Sequence, residues 1–265
     1  MHSARHREYF LPSMGLLVVT AWLALWIWSE SPYARYLDHG DWTRMGFAAS
    51  ICAALPAGET VFPIVFYTCG WLLMLVAMML PTTLPLLDIY RRLTRPRKDH
   101  RLLLALVIAG YLAAWAMFGF TAHGVDWLLH WLVDHNPWLV FNGWVFQVAV
   151  LLVAGSFQFS SLKYRCLDKC RMPLGFVLEH WRGNSECRQA FRLGVIHGLF
   201  CVGCCWALML LMFVVGTGNI GWMMLLGAIM AAEKNLPWGR HLGPLFGTAF
   251  LALAAVTLIQ GIGII

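Results

Sequence analysis

The chain has 265 residues, of which 60% are hydrophobic and only 12% charged, and its mean hydropathy is +0.68. These values exclude an ordinary soluble domain, in which about a quarter of the residues are charged. The formal net charge of +6 does not indicate a nucleic-acid-binding protein, because the basic residues lie in short loops between apolar runs. The sequence also lacks a phosphate-binding glycine loop, so we do not expect ATP-driven pumping by this chain alone.

Several apolar runs approach or exceed the length of about twenty residues that crosses a bilayer as a helix. Because these runs are continuous rather than alternating, they predict helices and not the strands of a barrel. The sequence therefore predicts an all-α fold: a polytopic transmembrane helical bundle that forms one integral membrane domain over residues 1–265. We predict seven spans, of which the sixth is short: 11–28, 61–87, 102–122, 138–159, 191–215, 221–232 and 245–264. We also predict a helix over 42–55 that lies along the membrane surface.

The distribution of basic residues predicts the orientation of these spans. Seventeen of the 19 Lys and Arg residues lie before the first span or in the loops after the second, fourth and sixth spans. The opposite side has only Arg35 and Arg44. Cytoplasmic loops of membrane proteins carry an excess of Lys and Arg, so we predict a cytoplasmic N-terminus.

The second span contains methionines and prolines near the middle and cytoplasmic end of the helix. Met74 and Met78 are one helical turn apart, and Pro81 and Pro85 interrupt the backbone after them. One interpretation is that methionine fills gaps in the core and proline bends the helix. The other is that Met74 and Met78 supply thioether ligands, or a relay, to a soft metal ion.

Two cysteines follow the fourth span at its cytoplasmic end. Cys166 and Cys170 are four residues apart, which places both thiols on one side of a helix. A structural disulfide is not expected there, because the cytosol keeps thiols reduced. The pair therefore predicts metal exchange at the cytoplasmic face, and the alternative is two ordinary cysteines in a basic loop.

The fifth span has the most informative pattern in the chain. His197, Cys201, Cys204, Cys205 and Met209 recur at intervals that place them along one side of a helix. Thiolates, thioethers and imidazole are the ligands that Cu(I) and other soft metals prefer. We predict a core site of the three cysteines, with the histidine beside it and the methionine as a thioether ligand. Simple packing and a redox-active thiol pair are the alternatives.

The fifth span also carries three glycines, and two ionisable residues follow the sixth span. Gly194, Gly198 and Gly203 allow another helix to approach the fifth span closely. Glu233 and Lys234 follow the sixth span, where ionisable groups at membrane depth are candidate functional residues. We predict that Glu233 orients a ligand or neutralises charge at the metal site, whereas Lys234 either contributes or extends to the membrane surface.

Taken together, these motifs resemble a bacterial family of predicted metal-binding integral membrane proteins, a domain of unknown function. The resemblance covers roughly residues 71–234, and the chain departs from it at Phe157 and Gly218, where tyrosine and methionine are expected. The matching residues are Trp71, Met74, Ala77, Met78, Met79, Pro81, Pro85, Gly110, Tyr111, Trp115, Ala154, Gly155, Gln158, Lys163, Cys166, Cys170, Arg171, Pro173, Gly198, Cys201, Gly203, Cys204, Cys205, Trp206, Met209, Asn219, Trp222, Met223, Glu233 and Lys234.

The resemblance implies a multi-pass protein of the bacterial inner membrane that binds a metal. Together with the thiols of the fifth span, the resemblance leads to the hypothesis that the chain binds a soft metal ion, with Cu(I) as the first candidate. The protein would then handle this metal or translocate it. The expected partners are the lipid bilayer and a metal chaperone or other membrane subunits, and not nucleic acid. The alternatives are a membrane thiol-disulfide oxidoreductase and an accessory subunit of a membrane complex, and we lean away from an enzyme.

Overall fold

The computed structural model describes residues 2–31, 61–136, 138–139, 142–181, 186–215 and 219–263. These residues form α-helices with one 3-10 helix and no strand, so the predicted all-α fold is confirmed. The surface helix predicted over 42–55 lies outside the described residues. The helices are α1 (His2–Ser29), α2 (Val61–Met78), α3 (Leu80–Thr94), α4 (His100–Asp134), α5 (Trp144–Phe157), α6 (Ser161–Arg171), α7 (Pro173–His180), α8 (Glu186–Val215), α9 (Ile220–Asn235) and α10 (Leu242–Gly261), with the 3-10 turn Gly239–His241 before α10.

Four of these helical segments are long and apolar enough to cross a membrane: they belong to α1, α4, α8 and the stretch Gly239–Gly261. Two bent pairs, α2 with α3 and α5 with α6, also pass the test if each is counted as one broken span. The described residues thus contain four candidate spans, or up to six. The sixth predicted span corresponds to α9, a helix of 16 residues. Seven spans and a cytoplasmic N-terminus remain predictions.

Local sequence explains both bends. The axes of α2 and α3 differ by 69°, and Pro81 stands in the first turn of α3 directly after the break at Met79. Proline lacks an N–H and clashes with the preceding turn, so it begins a helix but rarely continues one. The predicted interruption is therefore confirmed at Pro81, whereas Pro85 lies inside α3. Between α5 and α6 the bend is 62°, and Ser160 starts α6 by accepting a hydrogen bond from Leu162 N.

Helices α4 and α8 pack against each other through glycines. A Cβ on Gly194 of α8 would overlap the Val107 carbonyl oxygen of α4, and one on Gly110 would overlap the Phe191 carbonyl oxygen. At Gly198 a Cβ would come within 2.7 Å of the Ala114 Cβ. The close helix approach predicted at Gly194 and Gly198 is confirmed. It fixes α8, the thiol-bearing helix, directly onto α4.

The outer surface of the bundle is apolar. Phe120 of α4 is 84% exposed, and Leu245 of α10 is 62% exposed. Large exposed apolar side chains are rare in contiguous patches on soluble proteins, but they are the normal surface of helices that face lipid. Inside this surface, α4, α6 and α8 enclose a buried core that contains the cysteines and methionines of the sequence motifs.

Candidate metal centre

Three buried cysteines lie on consecutive turns of α8. Cys201, Cys204 and Cys205 are each at most 2% exposed. The Cys204 and Cys205 thiols both donate to the Cys201 backbone carbonyl, at Sγ–O distances of 3.1 and 2.9 Å. Because residues three and four apart lie on one side of a helix, the shared acceptor turns both sulfurs toward the preceding turn. The prediction that these three thiols share one side of a helix is confirmed.

Helix α6 brings two more thiols to the same place. Cys170 is partly buried and packs against the core that contains Cys204 of α8, and the two thiols lie near each other. Cys166, one turn earlier on α6, rests its sulfur against Gly203, where a Cβ would come within 2.7 Å of Sγ. Gly203 therefore allows the close approach that was predicted for it. We call these five residues the cysteine cluster: Cys166, Cys170, Cys201, Cys204 and Cys205.

Metal exchange by Cys166 and Cys170 at the cytoplasmic face stays a prediction, and the structure places both residues beside the cysteines of α8. The 62° bend between α5 and α6 folds the two thiols back onto α8, whereas a straight helix would extend them away from it. Among the residues that the structure describes, no group of three or more His, Cys, Asp or Glu side chains is arranged to hold a metal ion. The cysteine cluster therefore offers pairs of thiols and not a closed cage of three ligands.

A buried lysine approaches the cysteine cluster from α9. Lys234 is 6% exposed, and its Nζ lies 2.9 Å from Cys201 Sγ, 3.4 Å from Thr82 Oγ1 and 4.0 Å from Met79 Sδ. Lys234 therefore does not extend to the surface. It spans the space between α8 and the break that separates α2 from α3, and it brings a basic group into contact with a thiol.

The sulfur of Cys201 has a second polar neighbour. Tyr111 of α4 is 5% exposed, and its hydroxyl lies 3.1 Å from Cys201 Sγ. A thiolate at Cys201 would accept hydrogen bonds from both Tyr111 and Lys234, which are two donors aimed at one sulfur. Tyr111 is not among the site residues predicted from the sequence. Two features of the sequence point to it: it carries a hydroxyl within an apolar helix, and it is one of the residues that carry the family resemblance.

The carboxylate of Glu233 is paired with a different lysine. Lys163 Nζ lies 2.6 Å from Glu233 Oε1 and also donates to Gln158 Oε1. All three residues are buried. Buried charges are retained in proteins where they are paired and hydrogen-bonded, so this group forms a neutral unit beside the cysteine cluster. The ligand role of Glu233 stays a prediction.

The end of α9 that carries this carboxylate is held by α6. Arg171 donates to the backbone carbonyls of Glu233, Leu236 and Pro237, the last two at 2.8 and 3.0 Å. The guanidinium presents several donors in one plane, which suits the unsatisfied carbonyls at a helix C-terminus. Helix α6 thus supplies two thiols of the cluster and also fixes the end of α9.

His197 lies one turn before Cys201 on α8 and is 4% exposed. Its ring packs against Tyr111 and Phe176, with centroid distances of 5.9 and 5.3 Å, and it lines an apolar cavity of about 160 Å³. Its Nδ1 has no hydrogen-bond partner among the described residues. A buried polar atom without a partner costs about 1–3 kcal/mol, so this nitrogen is available to a ligand. The metal-ligand role of His197 stays a prediction.

The methionines of the sequence motifs line the same core as the thiols of α8. Met74 and Met78 of α2 and Met209 of α8 are each at most 3% exposed and belong to one buried cluster with Cys201. Met78 packs on α9, where a Cβ on Gly227 would lie 3.4 Å from its Cγ. Polarisable thioethers therefore belong to the same buried core as the thiols, and direct coordination by them stays a prediction.

Comparison with known proteins adds one match. No curated protein and no solved structure shows significant similarity to the chain. A family model, PpoB2, described as a copper chaperone, matches residues 68–257. The match spans well over half of the chain and includes the cysteine cluster, Tyr111 and Lys234. It supports the copper part of the soft-metal interpretation. The chain therefore belongs to the PpoB2 copper chaperone family.

Proposed function

We propose that the chain is an integral membrane protein of the bacterial inner membrane that holds Cu(I) at the cysteine cluster while copper is handled or translocated. Three observations support the proposal. The family is described as a copper chaperone, four to six segments are apolar enough to cross a membrane, and thiols from two helices meet in the buried core. Copper is the cargo of such a protein, so the site must both take it up and release it.

The proximity of Cys170 of α6 to Cys204 of α8 carries this proposal. One buried cysteine is an ordinary packing residue, but thiols from separate helices that lie together beside three more cysteines form a ligand set. Cu(I) is stable with only two thiolate ligands in a nearly linear arrangement, so pairs of thiols are sufficient. Thiolates and thioethers select soft ions such as Cu(I) over hard ones.

Each thiol that binds copper must lose its proton, because the thiolate is the ligand. A thiolate at Cys201 would be stabilised by Lys234 and Tyr111, which both direct polar groups at its sulfur. We therefore assign Cys201 to the copper site together with a second thiolate from Cys204 or Cys170. Cys205 and Cys166 lie beside this pair and provide thiols to which the ion can be passed.

The test measures copper bound to the full chain, purified in detergent under reducing conditions with copper supplied. Mass spectrometry gives the copper content of the wild type and of Cys170→Ser, Cys204→Ser and Cys201→Ser. Cys187→Ser is the matched control, because Cys187 is an exposed free cysteine at the start of α8. We expect about one copper per chain in the wild type and control, and loss of copper in the cluster variants. Unchanged copper in all variants would refute the proposal.

The proximity of Cys170 to Cys204 also supports a second candidate function, a membrane thiol-disulfide oxidoreductase. By thiol–disulfide exchange, these two thiols would form one disulfide while a disulfide of a substrate protein takes up the two electrons and two protons and becomes two thiols. The measurement is alkylation of free thiols before and after mild oxidation in the absence of metal. Reversible loss of these two thiols, in a protein that binds no copper, would replace the first proposal by the second.

A further inference from the structure

The surroundings of Lys234 fit a charged ammonium group. An ammonium has three N–H donors and no acceptor, and Lys234 Nζ has three acceptor neighbours: Cys201 Sγ, Thr82 Oγ1 and Met79 Sδ. The Thr82 hydroxyl already donates its proton to the Met79 carbonyl, so its oxygen faces Lys234 as an acceptor. A neutral amine has only two N–H donors, so its lone pair would face one of these three acceptors instead of a hydrogen-bond donor.

The counter-charge of Lys234 is not a carboxylate. Glu233, the neighbouring acid, is bound by Lys163 at 2.6 Å, and no carboxylate contacts Lys234 Nζ among the described residues. The nearest group that can become an anion is Cys201, at 2.9 Å. A buried charge without an opposite charge costs several kcal/mol. Lys234 is therefore matched to a thiolate of the cysteine cluster.

The formal charges then define which metal complex the buried site can hold. One Cu(I) ion bound by two thiolates is a complex with a net charge of minus one. The unit of Lys163 and Glu233 is neutral and does not offset it. The ammonium of Lys234 offsets it fully, so the loaded site has no net charge in a surrounding of low dielectric constant, where a net charge is unfavourable.

We propose that Lys234 is a charge-balancing residue that makes the buried site selective for a monovalent soft ion held by two thiolates, one of them Cys201. This inference rests on the proposed function. With a divalent ion such as Zn²⁺, the same two thiolates and Lys234 would carry a net positive charge, which the apolar core disfavours. Lys234 thus acts on the charge of the bound ion without coordinating it.

The experiment compares two metals on the purified full chain. Affinity for Cu(I) is measured by competition with a chromophoric Cu(I) chelator, and affinity for Zn²⁺ with a fluorescent zinc chelator. The variants are Lys234→Gln, which is polar and uncharged, Lys234→Leu, which is apolar and uncharged, and Lys234→Arg, which keeps the charge. Lys169→Met is the control, because Lys169 lies on α6 next to Cys170 but is exposed and paired with Glu179.

We expect Lys234→Gln and Lys234→Leu to bind Cu(I) about tenfold more weakly or worse, a loss of about 1.4 kcal/mol or more, and to bind Zn²⁺ at least as well as the wild type. Lys234→Arg and the control should keep the wild-type ratio of the two affinities. This ratio separates a charge effect from structural damage, because damage would weaken both metals together.

Three results would overturn the inference: an equal loss of both metals in the uncharged variants, unchanged or tighter Cu(I) binding in them, or a changed metal ratio in Lys234→Arg. If one uncharged variant does not fold, the other decides. A wild type that binds no Cu(I) would refute the proposed function together with this inference. Cu(I) binding that needs the cysteines but not Lys234 would refute only the inference.

Discussion

Gly194 of α8 and Val107 of α4 are in backbone contact: a Cβ added to Gly194 would overlap the Val107 carbonyl oxygen. The obstacle is backbone rather than the end of a flexible side chain, so it cannot move aside without shifting a helix. We predict that Gly194→Ala destabilises the folded protein by about 1–3 kcal/mol, the usual cost of overpacking. Denaturant titration in detergent, followed by tryptophan fluorescence, measures the change.

Gly124 provides the matched control for this substitution, because it lies on α4 and has no atom within 4 Å of the position of a Cβ. Gly124→Ala should be neutral or stabilising by about 0.5–1 kcal/mol, since alanine restricts the unfolded chain. Equal effects of the two substitutions would contradict the close packing of α4 on α8.

A second prediction concerns the buried pair of Lys163 and Glu233. Removing one member leaves the other charge buried without its partner, so Lys163→Met should destabilise the protein by about 3–5 kcal/mol. The double variant Lys163→Met/Glu233→Leu removes both charges and should be more stable than Lys163→Met alone. The same fluorescence titration gives the free energies of unfolding for the double-mutant cycle. A double variant with the summed loss of the two single variants would show that the charges are not coupled.

Much of the site follows from sequence, but its three-dimensional arrangement does not. The spacing of Cys201, Cys204 and Cys205 is sufficient to predict one thiol-bearing side of a helix, because a helix has a fixed period. The proximity of Cys170 to Cys204 depends on the bend at Ser160. Such a bend depends on local capping and on packing against other helices, which the apolar pattern of the span does not encode.

The neighbouring residues Glu233 and Lys234 show a second limit of sequence reasoning. Adjacent positions of a helix differ in direction by about 100°, and Glu233 contacts Lys163 whereas Lys234 contacts Cys201. Which of the two reaches the thiol depends on the rotation of α9 about its axis, and Arg171 of α6 holds this end of α9. The sequence therefore identifies an ionisable pair but not which member faces the thiols.

A third prediction separates thioethers from thiols at the site. Met74, Met78 and Met209 are buried around the cluster, and leucine has a similar volume without a sulfur. If thiolates hold the ion, the triple Met→Leu variant should still bind about one copper per chain. Its affinity should fall by about tenfold, as for residues that support metal ligands. Chelator competition measures both quantities, and complete loss of copper would show that the thioethers are obligatory ligands.

A fourth prediction tests the orientation in the membrane. His135 and Cys187 are both exposed. The distribution of basic residues predicts that His135 lies on the outer side of the membrane and Cys187 on the cytoplasmic side. In a Cys52→Ser/Cys69→Ser background, a membrane-impermeant maleimide should label His135→Cys in intact spheroplasts. It should label Cys187 only after permeabilisation. Labelling of Cys187 in intact spheroplasts would reverse the predicted orientation of the N-terminus.

Helix α6 joins two parts of the site that are far apart in sequence. It carries Cys170, which lies near Cys204, and Arg171, which grips the end of α9 where Lys234 is located. A single short helix therefore positions both a thiol of the cluster and the end of α9 that carries Lys234. A substitution that shifts α6 would alter both contacts together, so the two cannot be perturbed independently through this helix.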